Sequence, residues 1–407
     1  MTDNRNTAAE IRRNLMIGWI QGGFFSVASV LTSGAVLQAL FMKLGMDART
    51  ISLYASFTQA FYLLFSVIAA GFANRIPNIR RKISALYFIQ AAVMAANLVF
   101  CFMADASPTL LCVTAFLLGA LANIVNTIRV TVAYRMTYFV INTEDYAHSN
   151  AVSGIVSGAL SILPGLFLPF FYRVFGYYET TIAVFLIAAV FCAAAGGMNL
   201  QQHFIRTEPP VKEKKTASSY TTADLFRDRD FLVMIVPNFL RGFGTGFLSL
   251  ITVLSISYAG YTEENAVILS SLSQIATFLG CALYGLFRRK KLSPALLGLV
   301  GAGMFCLLAV SFSGSPVWFG IVYLIAYIGY NTVSYIIPEI IYLMTDETKI
   351  SLHQTWRMAF TTLGTIVSTA LIGVLIDHVD GRLLVLFSVP CLLVCCLAYY
   401  LRYKKIQ

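Results

Sequence analysis

Apolar stretches recur along the chain, each long enough to cross a lipid bilayer and each bounded by a short polar or basic turn. A transmembrane helix needs ~20 mostly apolar residues. Twelve stretches qualify: residues 14–41, 50–73, 83–104, 109–133, 148–173, 179–200, 231–258, 264–287, 293–313, 317–343, 351–376 and 383–402. We number them spans 1 to 12. Spans 5, 10 and 11 carry enough polar residues that part of their surface must face protein or water. The pattern predicts an all-α membrane protein of twelve transmembrane helices.

The distribution of Lys and Arg sets the expected orientation. If both termini are cytoplasmic, 23 of the 29 basic residues fall on that side. Four fall outside (Lys43, Arg49, Arg173 and Arg382), and Arg129 and Arg241 lie within spans. Cytoplasmic loops carry the excess of Lys and Arg, so cytoplasmic termini are expected. The longest connection, 201–230, holds Glu208-Pro209-Pro210 and Lys212-Glu213-Lys214-Lys215. It reads as a linker between a first unit, 1–200, and a second, 231–407. The basic N-terminus runs into an apolar stretch too long for a signal peptide, so span 1 is read as a membrane helix.

Composition agrees. Hydrophobic residues make up 58% of the chain and charged residues 12%, against ~25% charged in an ordinary soluble domain. That excludes a soluble enzyme, a disordered chain and a small secreted scaffold. The net charge of +10 sits in short runs between apolar segments, as topology requires, and implies no nucleic acid partner. The eight cysteines form no CxxC pair, so no metal and no cofactor is expected. Cys101 and Cys112 flank a short turn, a spacing that allows a disulfide.

The two halves repeat weakly. Ser56-Phe57-Thr58-Gln59 matches Ser271-Leu272-Ser273-Gln274, Asn126-Thr127 matches Asn331-Thr332, and Gln21-Gly22 stands opposite Arg241-Gly242. Two halves of like orientation are parallel repeats about an axis along the membrane normal. The turn after span 2 reads Gly71-Phe72-Ala73-Asn74-Arg75-Ile76-Pro77-Asn78-Ile79-Arg80-Arg81-Lys82, and its second-half counterpart is Gly285-Leu286-Phe287-Arg288-Arg289-Lys290. The first resembles the G-x-L-A-D-R-x-G-R-R loop of the major facilitator superfamily, with Asn74 at the usual Asp and Pro77-Asn78-Ile79 in place of the Gly step. Phe226-Arg227-Asp228-Arg229-Asp230-Phe231, before span 7, is also similar to a stretch in many such transporters. The resemblance implies two pseudo-symmetric six-helix bundles and a cytoplasmic latch at the loop after span 2. Arg75, Arg80 and Arg81 are its expected members.

Several polar residues inside apolar spans are candidates for a central cavity. Arg241 lies eleven residues into span 7, about 16 Å deep, in a hydrocarbon core ~30 Å thick. A guanidinium there costs at least ~2.5 kcal/mol, so it needs a wet cavity or a partner. One reading is capture of an anionic or polar solute by its planar donor fork; the other is bonding to backbone groups that ties helices together. Gln21 is its positional mate in the first half, and Asn238, on the same helical face, is expected to orient the guanidinium. Asn126, Asn331, Gln59, Gln274 and Tyr330 complete the cavity set, each also explicable by helix–helix hydrogen bonding.

Arg129 is expected near the cytoplasmic face, where it can snorkel and pair with Glu339 as an inner gate; Arg357 opens span 11 on the same side. Glu339 and His353 are the proton-carrying candidates. Spans 1–6 hold no mid-membrane carboxylate. Glycines of spans 5 and 7 (Gly154, Gly158, Gly242, Gly244 and Gly246) are expected to allow close helix approach.

The expected function is secondary active or facilitative transport of a small polar or anionic solute, sugars included, by alternating access. A multidrug efflux carrier is the alternative within transport. A non-transporting membrane sensor of the same fold is the alternative outside it. The expected partners are a small-molecule substrate, membrane lipid and a co-transported ion. The protein is expected to act as a monomer in a bacterial inner membrane.

Overall fold

The computed structural model describes residues 2–32, 34–73, 76–140, 146–204, 222–290, 303, 305–312, 314–344 and 347–406. Among them the secondary structure is helical, with no strand. Ten helices are long and apolar enough to cross a membrane. Span 10 adds a shorter apolar run, Pro316–Asn331, inside a helix that extends over Pro316–Met344. Most of span 9 lies outside the described residues. The chain is a multi-pass membrane protein.

Consecutive spans run antiparallel, so one end of the bundle carries both termini and the other carries the turns after the odd-numbered spans. We call these the terminal end and the far end. Spans 1, 3, 4 and 6 pack together, with span 5 on span 1 and span 2 on span 4; spans 7, 11 and 12 form a second group, with span 8 on span 10. The groups meet where span 2 packs on span 11 and span 5 on span 8. Large apolar side chains such as Phe170, Val190 and Val236 are exposed on the outside, as a lipid-facing surface requires.

Two spans predicted as continuous are broken. Span 1 is a helix over Thr2–Leu31, a turn, and a second helix over Gly34–Lys43. Span 7 is helical over Arg229–Thr245, tightens to a 3-10 turn over Gly246–Leu250, and resumes over Ile251–Tyr258. Such breaks free backbone carbonyls that must find partners in lipid. At the break in span 1 the Ala28 carbonyl accepts from Thr32 twice, from its backbone N–H at 3.1 Å and from its hydroxyl at 2.9 Å. At the break in span 7 the Ser249 carbonyl accepts from Gln38 Nε2 of span 1 at 2.7 Å. One broken span therefore satisfies the other across the two groups.

Lipid supplies no hydrophobic drive between helices, so close approach depends on small residues. Gly242 abuts the Thr361 backbone carbonyl and Gly364 abuts the Phe239 carbonyl, so span 7 and span 11 touch backbone to backbone at both glycines. A Cβ on Gly158 would stand 3.1 Å from Phe278 Cβ of span 8, and one on Gly154 3.3 Å from Cys281 Sγ. The packing role read for these glycines agrees with their positions. In the basic turn after span 2, Asn78 takes a left-handed conformation (φ 53, ψ 47) at the N-cap of span 3. Asn tolerates that region better than most residues, so it fills the place of the missing glycine step. All eight cysteines are free, which corrects the Cys101–Cys112 pairing.

Candidate functional site

The site is built around two arginines, one in each half. Span 7 delivers Arg241. Its first turn is capped by Asp228, whose carboxylate accepts from the Asp230 N–H at 2.9 Å. Phe226 and Phe231 then dock on span 11: Phe226 meets Trp356 edge-on at 5.0 Å and Phe231 meets His353 at 5.3 Å. His353 Nε2 also lies 3.8 Å from Asp228 Oδ2. The Phe226–Phe231 stretch is thus an N-cap and an aromatic clasp that fixes where span 7 starts. Arg241, three turns further on, is 9% exposed. Its Cζ lies 6.0 Å from the centroid of Tyr330 on span 10, and the Tyr330 hydroxyl is a hydrogen-bonding neighbour. Cys395 and Tyr399 of span 12 lie within its electrostatic reach.

Asn238 does not orient this guanidinium, contrary to expectation. Its amide donates to the Met234 carbonyl at 2.7 Å and accepts from Tyr399 O–H at 2.7 Å. It therefore ties span 7 to span 12. Pro237, immediately before it, leaves the helix one backbone donor short.

Arg129 is buried in protein rather than extended to solvent, which corrects the snorkelling expectation. It is 5% exposed and lies inside the first half. Its Cζ stands 3.9 Å from the Phe25 ring of span 1 and 4.6 Å from the Tyr87 ring of span 3. Nη1 donates to Tyr87 Oη at 2.8 Å and Nη2 to Asn126 Oδ1 at 2.7 Å. Among the described residues no carboxylate lies within ion-pair distance, and Nε has no hydrogen-bond partner. The physical reason is the aromatic bed. Two π faces and two oxygen acceptors stabilise the cation where it stands, so it need not reach water. Asn126, partly exposed, is one of the acceptors of this bed. Glu339, the expected gate partner of Arg129, has no described side chain.

Gln21 is likewise engaged within its own half. Its Nε2 donates to Asn199 Oδ1 at 3.3 Å, and its Oε1 accepts from Gln202 Nε2 at 2.9 Å. Asn199 in turn donates to the Arg80 carbonyl and to Ser84 Oγ, both at 2.9 Å. Arg80 donates to the Gln202 carbonyl at 2.9 Å. This amide cluster binds spans 1, 3 and 6 near the terminal end. It gives Gln21 partners at the end of span 6, and Arg80 a partner within its own half. Half-to-half alignment had no means of showing that span 6 ends in two amides. Arg81 is exposed, and Arg75 lies outside the described residues.

Three further predicted amides have described side chains. Gln59 and Gln274 are partly exposed, and among the described residues neither side chain hydrogen-bonds. Asn331 donates to Thr277 Oγ1 at 3.2 Å, joining span 10 to span 8. Arg357 is 7% exposed, and Tyr62 of span 2, from the other half, lies within its electrostatic reach.

Sequence reasoning missed the contacts that join the halves toward the far end. Ser56 Oγ and Thr369 Oγ1 lie 2.7 Å apart, and Ser52 donates to the Thr369 carbonyl. Lys43 Nζ lies 3.5 Å from Glu264 Oε1 and 4.6 Å over the Tyr177 ring, and Arg173 Nη2 donates to Asn265 Oδ1 at 3.2 Å. The hydroxyl spacing was available as a signal. Ser52 and Ser56, and Thr361, Thr365 and Thr369, each recur every four residues, which places each set on one helical face.

Comparison with known proteins now adds to this geometry. Among curated proteins none matches the sequence significantly. Among solved structures, a point mutant of the nucleoside transporter NupG shares 15% identity, with 96% of this chain and 99% of that one covered and a TM-score of 0.69. A bacterial homolog of the human lysosomal transporter Spinster, inward-facing and unoccupied, shares 13% identity, with 98% of each chain covered and a TM-score of 0.67. A bacterial homologue of the iron transporter ferroportin, outward-facing, shares 13%, with 97% and 99% covered and a TM-score of 0.67. At these identities the likeness is one of fold. The family model described as Major Facilitator Superfamily matches residues 19–353. The series of membrane-spanning helices, the two packed helix groups and that match agree: the chain belongs to the Major Facilitator Superfamily, a family of membrane transporters rather than enzymes.

Proposed function

We propose that the protein moves a small organic solute across the membrane by alternating access, with an anionic or strongly polar group of the solute held at Arg241. The observation that carries this reading is the contrast between the arginines. Arg129 is sandwiched within its own half, whereas Arg241 stands beside a partly exposed tyrosine on span 10. Gln59 and Gln274, one from each half, add hydrogen-bonding capacity that no side-chain bond takes up among the described residues. The halves, 1–200 and 231–407 with a linker over 201–230, then rock about this region. The bonds near Lys43, Ser56 and Arg173 close the far end. The charge pattern supports cytoplasmic termini, so the far end is the outer one, and the short connections fit a bacterial inner membrane.

Counterflow in proteoliposomes tests the reading. Liposomes preloaded with a candidate solute should accumulate labelled solute through the wild-type protein and not through Arg241→Ala of equal abundance. Normal counterflow by correctly inserted Arg241→Ala contradicts the role given to Arg241. Ligand-induced stabilisation without counterflow favours the sensor alternative.

A further inference from the structure

Span 10 carries aromatic residues at Phe319, Tyr323, Tyr327 and Tyr330, spaced so that all four share one helical face. Successive centroids lie 6.4, 5.4 and 5.6 Å apart, and the interplanar angles open from 4° to 24° to 31° along the series. The ladder starts in the core, where Phe319 is fully buried and Tyr323 is 2% exposed. Tyr327 and Tyr330 are partly exposed. The ladder ends at Arg241, 6.0 Å from the Tyr330 centroid. A buried cation therefore stands at the open end of a row of π faces.

The hydroxyls are the second observation. Among the described residues, those of Tyr323 and Tyr327 make no hydrogen bond, and neither is among the wholly enclosed, unpartnered polar atoms. A ladder built only for packing is served by Phe, as at Phe319 and at Phe305, whose ring meets Tyr330 edge-on at a centroid distance of 6.5 Å. Tyrosine at two successive rungs adds a polar atom that must be hydrated or matched by an occupant.

We propose that this face binds a planar aromatic or conjugated organic anion. Its carboxylate meets Arg241, whose planar fork suits a bidentate partner. Its ring lies along Tyr327 and Tyr330, and a polar ring substituent reaches the hydroxyls of Tyr323 and Tyr327. This assignment rests on the transport reading above and narrows its substrate class.

The test is ligand-induced thermal stabilisation of the purified full-length protein, titrated with 4-hydroxybenzoate, benzoate, cyclohexanecarboxylate and benzamide. Stabilisation follows from binding to the folded state. The expected order is 4-hydroxybenzoate tightest, benzoate next, cyclohexanecarboxylate at least about tenfold weaker than benzoate, and benzamide weakest. Tyr327→Phe should remove the advantage of 4-hydroxybenzoate and leave benzoate binding in place. Equal binding of benzoate and cyclohexanecarboxylate, equal binding of benzamide, or binding of none of the four overturns the proposal. The wild-type order decides even if Tyr327→Phe does not fold. Counterflow separates the two readings: transport of a sugar or aliphatic solute without aromatic binding overturns this assignment alone, whereas aromatic binding without counterflow of any solute overturns the transport reading alone.

Discussion

Arg129 and Arg241 are both arginines inside apolar spans, and both are nearly inaccessible to solvent. Their surroundings differ. Arg129 has a ring on each side, Phe25 and Tyr87, and two oxygen acceptors from its own half. Arg241 has a tyrosine neighbour on span 10 and the thiol of Cys395 and hydroxyl of Tyr399 on span 12. A buried cation bedded on π faces is stabilised in place and acts as a pin between helices. A buried cation beside a partly exposed aromatic residue stands where a solute can meet it. Depth in the membrane does not separate these roles; the neighbours do.

The comparison can be broken by substitution. Arg129→Ala should have the largest effect, because it removes two charge-assisted hydrogen bonds and two cation–π contacts and leaves Asn126 and Tyr87 unpaired. A loss of about 3 kcal/mol or more is expected, read as a sharp fall in monodisperse yield and melting temperature. Arg129→Lys should rescue little, since an ammonium cannot lie flat between two rings. A well-folded, fully active Arg129→Ala would remove the pin.

Arg241→Gln comes next and should act differently. The protein should fold and insert, with melting temperature within a few degrees of wild type, while transport falls about tenfold or more. Tenfold corresponds to about 1.4 kcal/mol of lost interaction. Thr369→Val should be milder. It removes the hydroxyl facing Ser56, a bond worth about 1 kcal/mol, and should favour opening of the far end several-fold. Alkylation rates of a cysteine placed at Ala55, buried beside Ser56 on span 2, would report that shift, and an unchanged rate would show that this hydroxyl pair does not hold the halves together. Lys43→Ala should have the smallest effect. Its pair with Glu264 is about one-third exposed, and such pairs contribute about 0–1 kcal/mol, less at high salt. A salt-independent effect on transport would contradict a solvent-screened contact.

The comparison also shows how far the chain could be read in advance. The apolar membrane helices and the family were legible because span length and loop charge are properties of single segments. The glycines of span 7 were legible for the same reason. What was not legible depends on contacts between segments distant in sequence. Gln21 looked like a mate for Arg241 because the repeat aligns them, yet Asn199 and Gln202 take up its amide. Arg129 looked like a snorkelling residue by depth, yet Phe25 and Tyr87 come from spans 1 and 3. The breaks coincide with Thr32-Ser33-Gly34 and with Gly242, Gly244 and Gly246, small and polar residues that a pattern of overall hydropathy passes over. In the second break, Gln38 of span 1 takes the freed Ser249 carbonyl, a partner that local propensity does not reveal.

The most direct test of the divided roles is one paired experiment: melting temperature and proteoliposome counterflow measured together for Arg129→Gln and Arg241→Gln. The account predicts that Arg129→Gln loses stability, with transport falling only as folded protein is lost. It predicts that Arg241→Gln keeps its stability and loses transport per folded molecule. Equal losses of stability in both, or normal transport by Arg241→Gln, would contradict it.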